Sequence, residues 1–225
     1  MVAANKVGIE ARSVLYCGKS QILAADGSVV ALAGQHEETI LHGTIAIGPS
    51  LVTPRAALPA VARLAGPPLP DALRIALATH ADPELHRLAA LADAGLVIDP
   101  HARPESEDVA LVDDEDVLDP RALVGPRLAG VRLFVWSASI DEDWVVPFAR
   151  TRATELRAYL VVLDTPRRRA FAVDPDGVVV AGASGDYELA GFAFDRRRTE
   201  VWHVAPGTDV RAGLERVAGL SQASA

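Results

Sequence analysis

Residues 130–163, GVRLFVWSASIDEDWVVPFARTRATELRAYLVVL, decide the fold class. Val131 to Trp136 is a nearly unbroken apolar run of strand length, Asp143 to Arg157 reads as a helix, and Tyr159 to Leu163 is apolar and rich in β-branched residues again. The same alternation extends upstream. Leu73 to Ala78 reads as a strand. Asp82-Pro83-Glu84 opens a helix, with Asp as N-cap and Pro in the first turn, and Leu85, Leu88, Ala89 and Ala92 supply its apolar face. Gly95 to Asp99 and Val109 to Val112 read as strands, and Pro120 to Leu128 as a helix. Downstream the pattern turns all-β: Ala170 to Val173, a turn at Asp176-Gly177, Val178 to Ala181, then Glu188 to Phe194. A final amphipathic helix spans 207–220 with Leu214, Val217 and Leu220 on one side. Strands and helices in this order predict an α/β fold with strands sandwiched by helices.

The first 48 residues read differently, as strands and turns. Val2-Ala3-Ala4-Asn5 has the look of a strand end, Ser20 to Leu23 leads into an Asp26-Gly27 turn, Ser28 to Leu32 returns, and Thr39 to Ile47 reads as one more strand. A set this small cannot bury both faces of a sheet by itself. Residues 48–70 hold six prolines, which fix φ and remove donors; a linker or surface-hugging connection is expected, with a short helix around 56–65. The implied organisation is 1–48, a linker over 49–70, and 71–225.

Composition narrows the classes. The chain has 225 residues, is 50% hydrophobic and 23% charged, and carries a net charge of −8, a globular profile rather than a disordered one. No apolar run approaches the ~18 residues of a membrane span, and the N-terminus shows no secretory pattern. One cysteine, Cys17, excludes an intrachain disulfide and fits a reducing, cytoplasmic setting. The Arg runs at 167–169 and 196–198 read as solvated loop charges beside turns, since the overall negative field opposes nucleic acid. Lys6 and Lys19 are the only lysines among 22 basic residues.

Two stretches match each other: AADGSVVALAGQ at 24–35 and DPDGVVVAGASG at 174–185, followed by ILHG at 40–43 and ELAG at 188–191. The offset of about 150 residues is that of a domain duplication rather than of a solenoid. Around the first copy stand Asn5-Lys6-Val7-Gly8 and Cys17-Gly18-Lys19-Ser20; before the second stand Gly130-Val131-Arg132 and Arg152-Ala153-Thr154-Glu155-Leu156. In this order the motifs resemble the C-terminal half of the carbon–nitrogen hydrolase, or nitrilase, superfamily. Asn5, Gly18 and Ser20 match its Asn-x-x-Gly and Gly-x-Ser positions, and Arg152 and Glu155 match its Arg-Ala-x-Glu signature, with Leu156 where Asn is usual.

The resemblance implies an α-β-β-α sandwich, here incomplete and preceded by a partial repeat of its C-terminal strands. It also implies a Cys nucleophile, a Glu base and a Lys that faces the developing negative charge. This chain departs from that triad. In Asp113-Asp114-Glu115-Asp116-Val117-Leu118-Asp119-Pro120, Asp116 and Pro120 match the nucleophile motif, but Asp114 stands where the thiol belongs. Asp99 stands at the base position, and the segment that would carry the lysine is missing. No catalytic residue is therefore assigned. The expected function is a non-catalytic structural or binding partner, either a homo-oligomer or paired with a complete subunit. The other reading is an amide or nitrile hydrolase acting on non-peptide carbon–nitrogen bonds, with its missing groups supplied upstream or by another chain.

Remaining constellations are weighed against plainer readings. Cys17 and Lys19, two apart on a strand, would face one side and form a reactive pair; an unreactive strand cysteine is the plainer reading. The acidic run 113–116 has the oxygens for a hard cation, but reads as a solvated loop. His80 and His101 follow strand ends without metal spacing, and Glu155 is expected to tie its helix to neighbouring backbone. No phosphate loop, dinucleotide motif or serine elbow is present, so no metal and no cofactor are expected, nor a nucleic-acid or membrane partner.

Overall fold

A computed structural model describes residues 1–10, 14–24, 26–46, 61–101, 104–185 and 188–223. The chain divides into two compact units, Met1–Arg55 and Ala56–Ala225.

In the first unit, β1 (Val2–Ala3), β4 (Gln21–Leu23) and β5 (Val29–Leu32) form a three-stranded antiparallel sheet in the order β1-β4-β5, while β2 (Val7–Glu10) and β3 (Val14–Cys17) form a separate hairpin. Gly18 and Lys19 follow β3 with φ of 57–59°, in the left-handed region. This overturns the expected Cys17–Lys19 pairing by strand period, because the strand ends at Cys17 and the backbone turns before Lys19. The Cys17 side chain lies outside the described residues. Residues 37–46 form no strand, against expectation. The matching segment of the second unit is a strand only because a partner is there to receive it, and no such partner is described in the first unit.

The second unit is built on two sheets. The smaller contains β6 (Ala72–Ala78), β7 (Leu96–Ile98) and β13 (Leu189–Asp195) in the order β13-β6-β7. Helix α1 (Pro83–Leu91) crosses between parallel β6 and β7, its N-terminus capped by the Asp82 carboxylate on Glu84 N–H. The larger sheet runs β12-β11-β10-β9-β8. It comprises β8 (Val109–Val112), β9 (Leu133–Ser137), β10 (Tyr159–Asp164), β11 (Arg169–Val173) and β12 (Val179–Ser184), and the first three of these are mutually parallel. Between the strands lie α2 (Asp114–Leu118), α3 (Arg121–Leu128) and α4 (Glu142–Leu156); α5 (Val210–Ala223) follows β13 and packs on α3.

Side-chain alternation explains why the apolar runs are continuous. Leu133, Val135, Tyr159, Val161 and Leu163 face one way and meet Ile75, Leu77, Ile98, Phe192 and Phe194 of the smaller sheet. Phe134, Trp136, Leu160 and Val162 face the other way, under Val117, Leu123, Val145, Ala149 and Leu214 of the helices. A strand buried on both faces has no polar side to show. The Tyr159 ring sits 5.6 Å from Phe192 and 5.1 Å from Phe194, and its hydroxyl accepts from Asp195 N–H, which satisfies the one polar atom this side chain carries into the layer.

Two hairpins share one geometry. In β4–β5, Leu23 pairs with Val29 and Ile22 with Ala31; in β11–β12, Val173 pairs with Val179 and Ala172 with Ala181. Each therefore carries an unpaired extra residue, Val30 or Val180, at the same place. The turns match as well. Ala24 N–H donates to Ser28 O and Gly27 N–H to Ala24 O, and Asp174 N–H donates to Val178 O and Gly177 N–H to Asp174 O. By the same register Asn5 corresponds to Asp164 and Ser20 to Ala170. The intervening β2–β3 hairpin is replaced in the second unit by a 3-10 turn, Thr165–Arg167.

Other expectations change. Of the short helix expected around 56–65, residues 56–60 lie outside the described part and 61–65 are not helical. Residues 61–70 lie along the second unit: Leu64 N–H donates to Val109 O, and Leu69 N–H donates to the Asp108 carboxylate at 2.7 Å. The acidic run is no loop, since Asp114 to Leu118 is helical. The Arg runs are not simply solvated: Arg169 and Arg196 are only 20% and 17% exposed and pair with Asp164 and Asp108. On α1, Leu85 and Ala89 are buried but Leu88 is not.

Gly177 has φ of 77°, and a Cβ there would lie 2.6 Å from Thr154 Oγ1 and 3.4 Å from Arg150 O. Strain and clash act together, so Gly177→Ala is expected to destabilise the protein by about 1–3 kcal/mol, measured by urea unfolding.

Candidate functional site

Parallel strands present their C-terminal ends on one edge, the usual place for a ligand in α/β folds. Here that edge holds Asp113 and Asp114 after β8, Ser139 after β9 and Asp164 at the end of β10. The position expected to be degenerate, Asp114, lies at its centre and is fully engaged. Its Oδ1 accepts from the buried Trp136 indole N–H at 2.9 Å and from Ser139 N–H at 3.1 Å; its Oδ2 accepts from Ser139 N–H at 3.2 Å and from the Ser139 hydroxyl. A carboxylate with both oxygens hydrogen-bonded is stabilised as an anion and is a poor nucleophile.

The neighbouring acids are used locally as well. Asp113 caps α2, accepting from Glu115 N–H at 2.9 Å and Asp116 N–H at 3.1 Å, while the Asp116 carboxylate accepts from Asp113 N–H at 3.1 Å. This reciprocal capping box needs an acid at each end and explains the run without a cation. Among the described residues no group of three or more His, Cys, Asp or Glu converges as a metal site. Burial first, then the charges of Asp113 and Glu115, hold the Asp116 carboxyl above the ordinary aspartate range.

Asp164 is wholly buried and meets Arg169 Nε at 2.5 Å and Arg167 Nη1 at 3.1 Å. Its counterpart Asn5 instead receives Ser20: the Ser20 hydroxyl lies 2.9 Å from Asn5 N and 3.3 Å from Asn5 O. Gly18, the third matched position, donates its N–H to Lys6 O at 3.0 Å, and a Cβ on it would lie 3.1 Å from Gln35 O. These three residues hold a turn together.

Asp99, at the base position, is buried just beyond β7. It is bonded to His86 Nε2 of α1 and to His101 N–H, each at 2.6 Å. The hydrogen bonds described for Asp99 and Asp114 have no partner in common, so the two positions are not joined into one constellation. His80 lies 3.1 Å from Thr79 Oγ1 and 3.6 Å from Asp82. Arg152 donates Nε to Val117 O at 2.7 Å, tying α4 to the end of α2, and Nη1 to Glu155. The tie to backbone that was expected of Glu155 is thus made by Arg152, with Glu155 half-exposed beside it. Sequence reading missed Trp136, Ser139 and His86 as the partners of these acids; a tryptophan at the end of an apolar strand, next to Ser137 and Ser139, was the available signal.

The fold and this edge define a class: a mixed α/β protein with facing sheets of the carbon–nitrogen hydrolase kind. No protein-family model matches the chain, and no curated protein matches it. Among solved structures it is similar to Saccharomyces cerevisiae Nit3, a member of branch 10 of the nitrilase superfamily, at 13% identity and a TM-score of 0.46, over 62% of this chain and 96% of that one. It is similar to an amidase from Nesterenkonia sp. at 14% identity and a TM-score of 0.44, over 67% and 98%. It is also similar to the C. elegans NitFhit protein at 18% identity and a TM-score of 0.38, over 84% and 40%. These likenesses concern chain path at low identity and carry no activity with them.

Asp114→Leu would leave the buried Trp136 indole N–H and Ser139 without their acceptor, at an expected cost of about 1–3 kcal/mol, read by urea unfolding. Asp116→Asn keeps an acceptor for Asp113 N–H and cannot ionise. Because the folded-state value for Asp116 lies above the unfolded one, its ionisation weakens the fold as the pH rises through that window. The variant is therefore expected to gain Tm over the wild type at pH 7, with the gain shrinking towards pH 3 in a thermal melt series.

Proposed function

We propose that the chain is a degenerate carbon–nitrogen hydrolase module that acts as a structural or binding partner and does not turn over amides or nitriles by itself. The observation that carries this reading is the Asp114 carboxylate, held by Trp136 and Ser139 at the end of β8, where the resemblance would place a thiol. A thioester cannot form there, and a carboxylate saturated with donors has little reason to attack a carbon–nitrogen bond. Asp99, bonded to His86 and His101 N–H, is likewise occupied.

The paired hairpins support a second part of the reading, a duplication. An identical bulge, turn and register at an offset of 150 residues is more than two Asp-Gly turns would share by chance. On this reading 1–48 is the closing fragment of one domain, 49–70 the connection, and 71–225 a shortened, incomplete sandwich. It acts as a homo-oligomer or beside a complete subunit, in the cytoplasm. No described helix is long and apolar enough to cross a membrane.

The test is ammonia release from a panel of aliphatic amides, ω-amides and nitriles, using the purified chain. No release above the blank is expected, with Asp114→Cys no better than wild type. Turnover by the wild type that Cys17→Ala abolishes would refute the proposal.

A further inference from the structure

A second feature lies at the other end of β9 from Asp114. Arg127 near the end of α3, Arg132 just before β9, Glu200 at the end of the 3-10 turn Arg196–Glu200, Trp202, and Arg211 in the first turn of α5 enclose a cavity of about 290 Å³. This is the size of a small-ligand site. Its walls carry three guanidinium groups against one carboxylate.

The neighbours do not balance these charges equally. Arg132 is paired twice, Nη1 with Asp108 at 2.8 Å and Nη2 with Glu200 at 3.1 Å, and Arg211 pairs with Glu215 at 3.0 Å. Arg127 is 4% exposed, and among the described residues no carboxylate reaches it. Its Nε and Nη2 donate to three backbone carbonyls, of Leu156, Arg157 and Thr199, and its plane lies 4.2 Å from the Trp202 ring. Nη1 has no hydrogen-bond partner among the described residues. Arg132 Nε is also buried without one. A buried charge without a counter-ion, beside a second unfilled donor and in a cavity open to solvent, is an unfinished ion pair. The electrostatics agree: burial, with the charges of Arg132, Arg211 and Arg157 behind it, pulls the Arg127 guanidinium down to about 10.

We propose that this cavity binds a small oxyanion, the phosphate or carboxylate group of a low-molecular-weight ligand, held between Arg127, Arg132 and Arg211. Guanidinium groups match both anions with paired donors. The anion would complete the Arg127 ion pair and leave the Asp114 edge untouched, so the site stands whether or not the chain has hydrolase activity.

The experiment is isothermal titration of the full chain with inorganic phosphate and, separately, with succinate, at ionic strength matched with potassium chloride. Saturable 1:1 binding of at least one is expected, and the anion preferred identifies the group. Arg211 is half-exposed and bonded only within its own helix, so Arg211→Glu should fold, which circular dichroism will confirm. This variant should weaken binding at least about tenfold, the scale of one charge-assisted hydrogen bond. The proposal is overturned if neither anion gives a saturable signal, or if Arg211→Glu binds as the wild type does.

Discussion

The second unit depends on arginine side chains meeting backbone carbonyls where its elements end. The two sheets bury their strands on both faces, and the helices lie over one of them, so the last carbonyls of helices and turns point into places water does not reach. Arg127 takes the carbonyls of Leu156, Arg157 and Thr199; Arg152 takes that of Val117; Arg157 takes those of Pro175 and Val201; Arg196 takes that of Leu69. One planar guanidinium can serve several acceptors that lie far apart in sequence, which a lysine ammonium does poorly. The near absence of lysine is therefore a structural property of this chain as well as a compositional one.

Buried carboxylates are the other half of this arrangement. Asp108 is buried at the meeting of three segments, accepting from Leu69 N–H, Arg132 and Arg196, and Asp164 joins Arg167 and Arg169. The acids at the strand ends are thus committed to holding the fold. At Asp114 the commitment bears on function, because the group at the expected site of chemistry is spent on Trp136 and Ser139. Arg127 stands apart from this balance, with carbonyls for partners and no acid.

The strand and helix order of the second unit was legible from residues 73–195, because period and length separate its elements and Asp-Gly marks the turn at 176–177. The paired hairpins were legible too, down to the matched residues. What was hidden depended on partners distant in sequence. Residues 39–46 have the composition of a strand, yet a strand exists only when another receives its hydrogen bonds, as β6 receives β13. The acidic run looked like a solvated loop because a capping box and a charge cluster have the same letters. Arg167–Arg169 and Arg196–Arg198 looked like surface charge because their acids, Asp164, Asp108 and Asp174, are identified only by folding. The Asp114 lock needed Trp136 and Ser139, over twenty residues away and on the next strand.

The extra residue in β12 has a consequence for how this chain tolerates change. Val180 sits opposite no partner, and the strand resumes its alternation beyond it with Ala183 inward and Gly182 and Ser184 outward. Loss of a single codon here would slide the remainder of the strand by half a pleat and turn it inside out, whereas many replacements at Val180 leave the alternation intact. The hairpin is thus permissive to substitution and intolerant of insertion or deletion, and the same asymmetry applies at Val30 in β5.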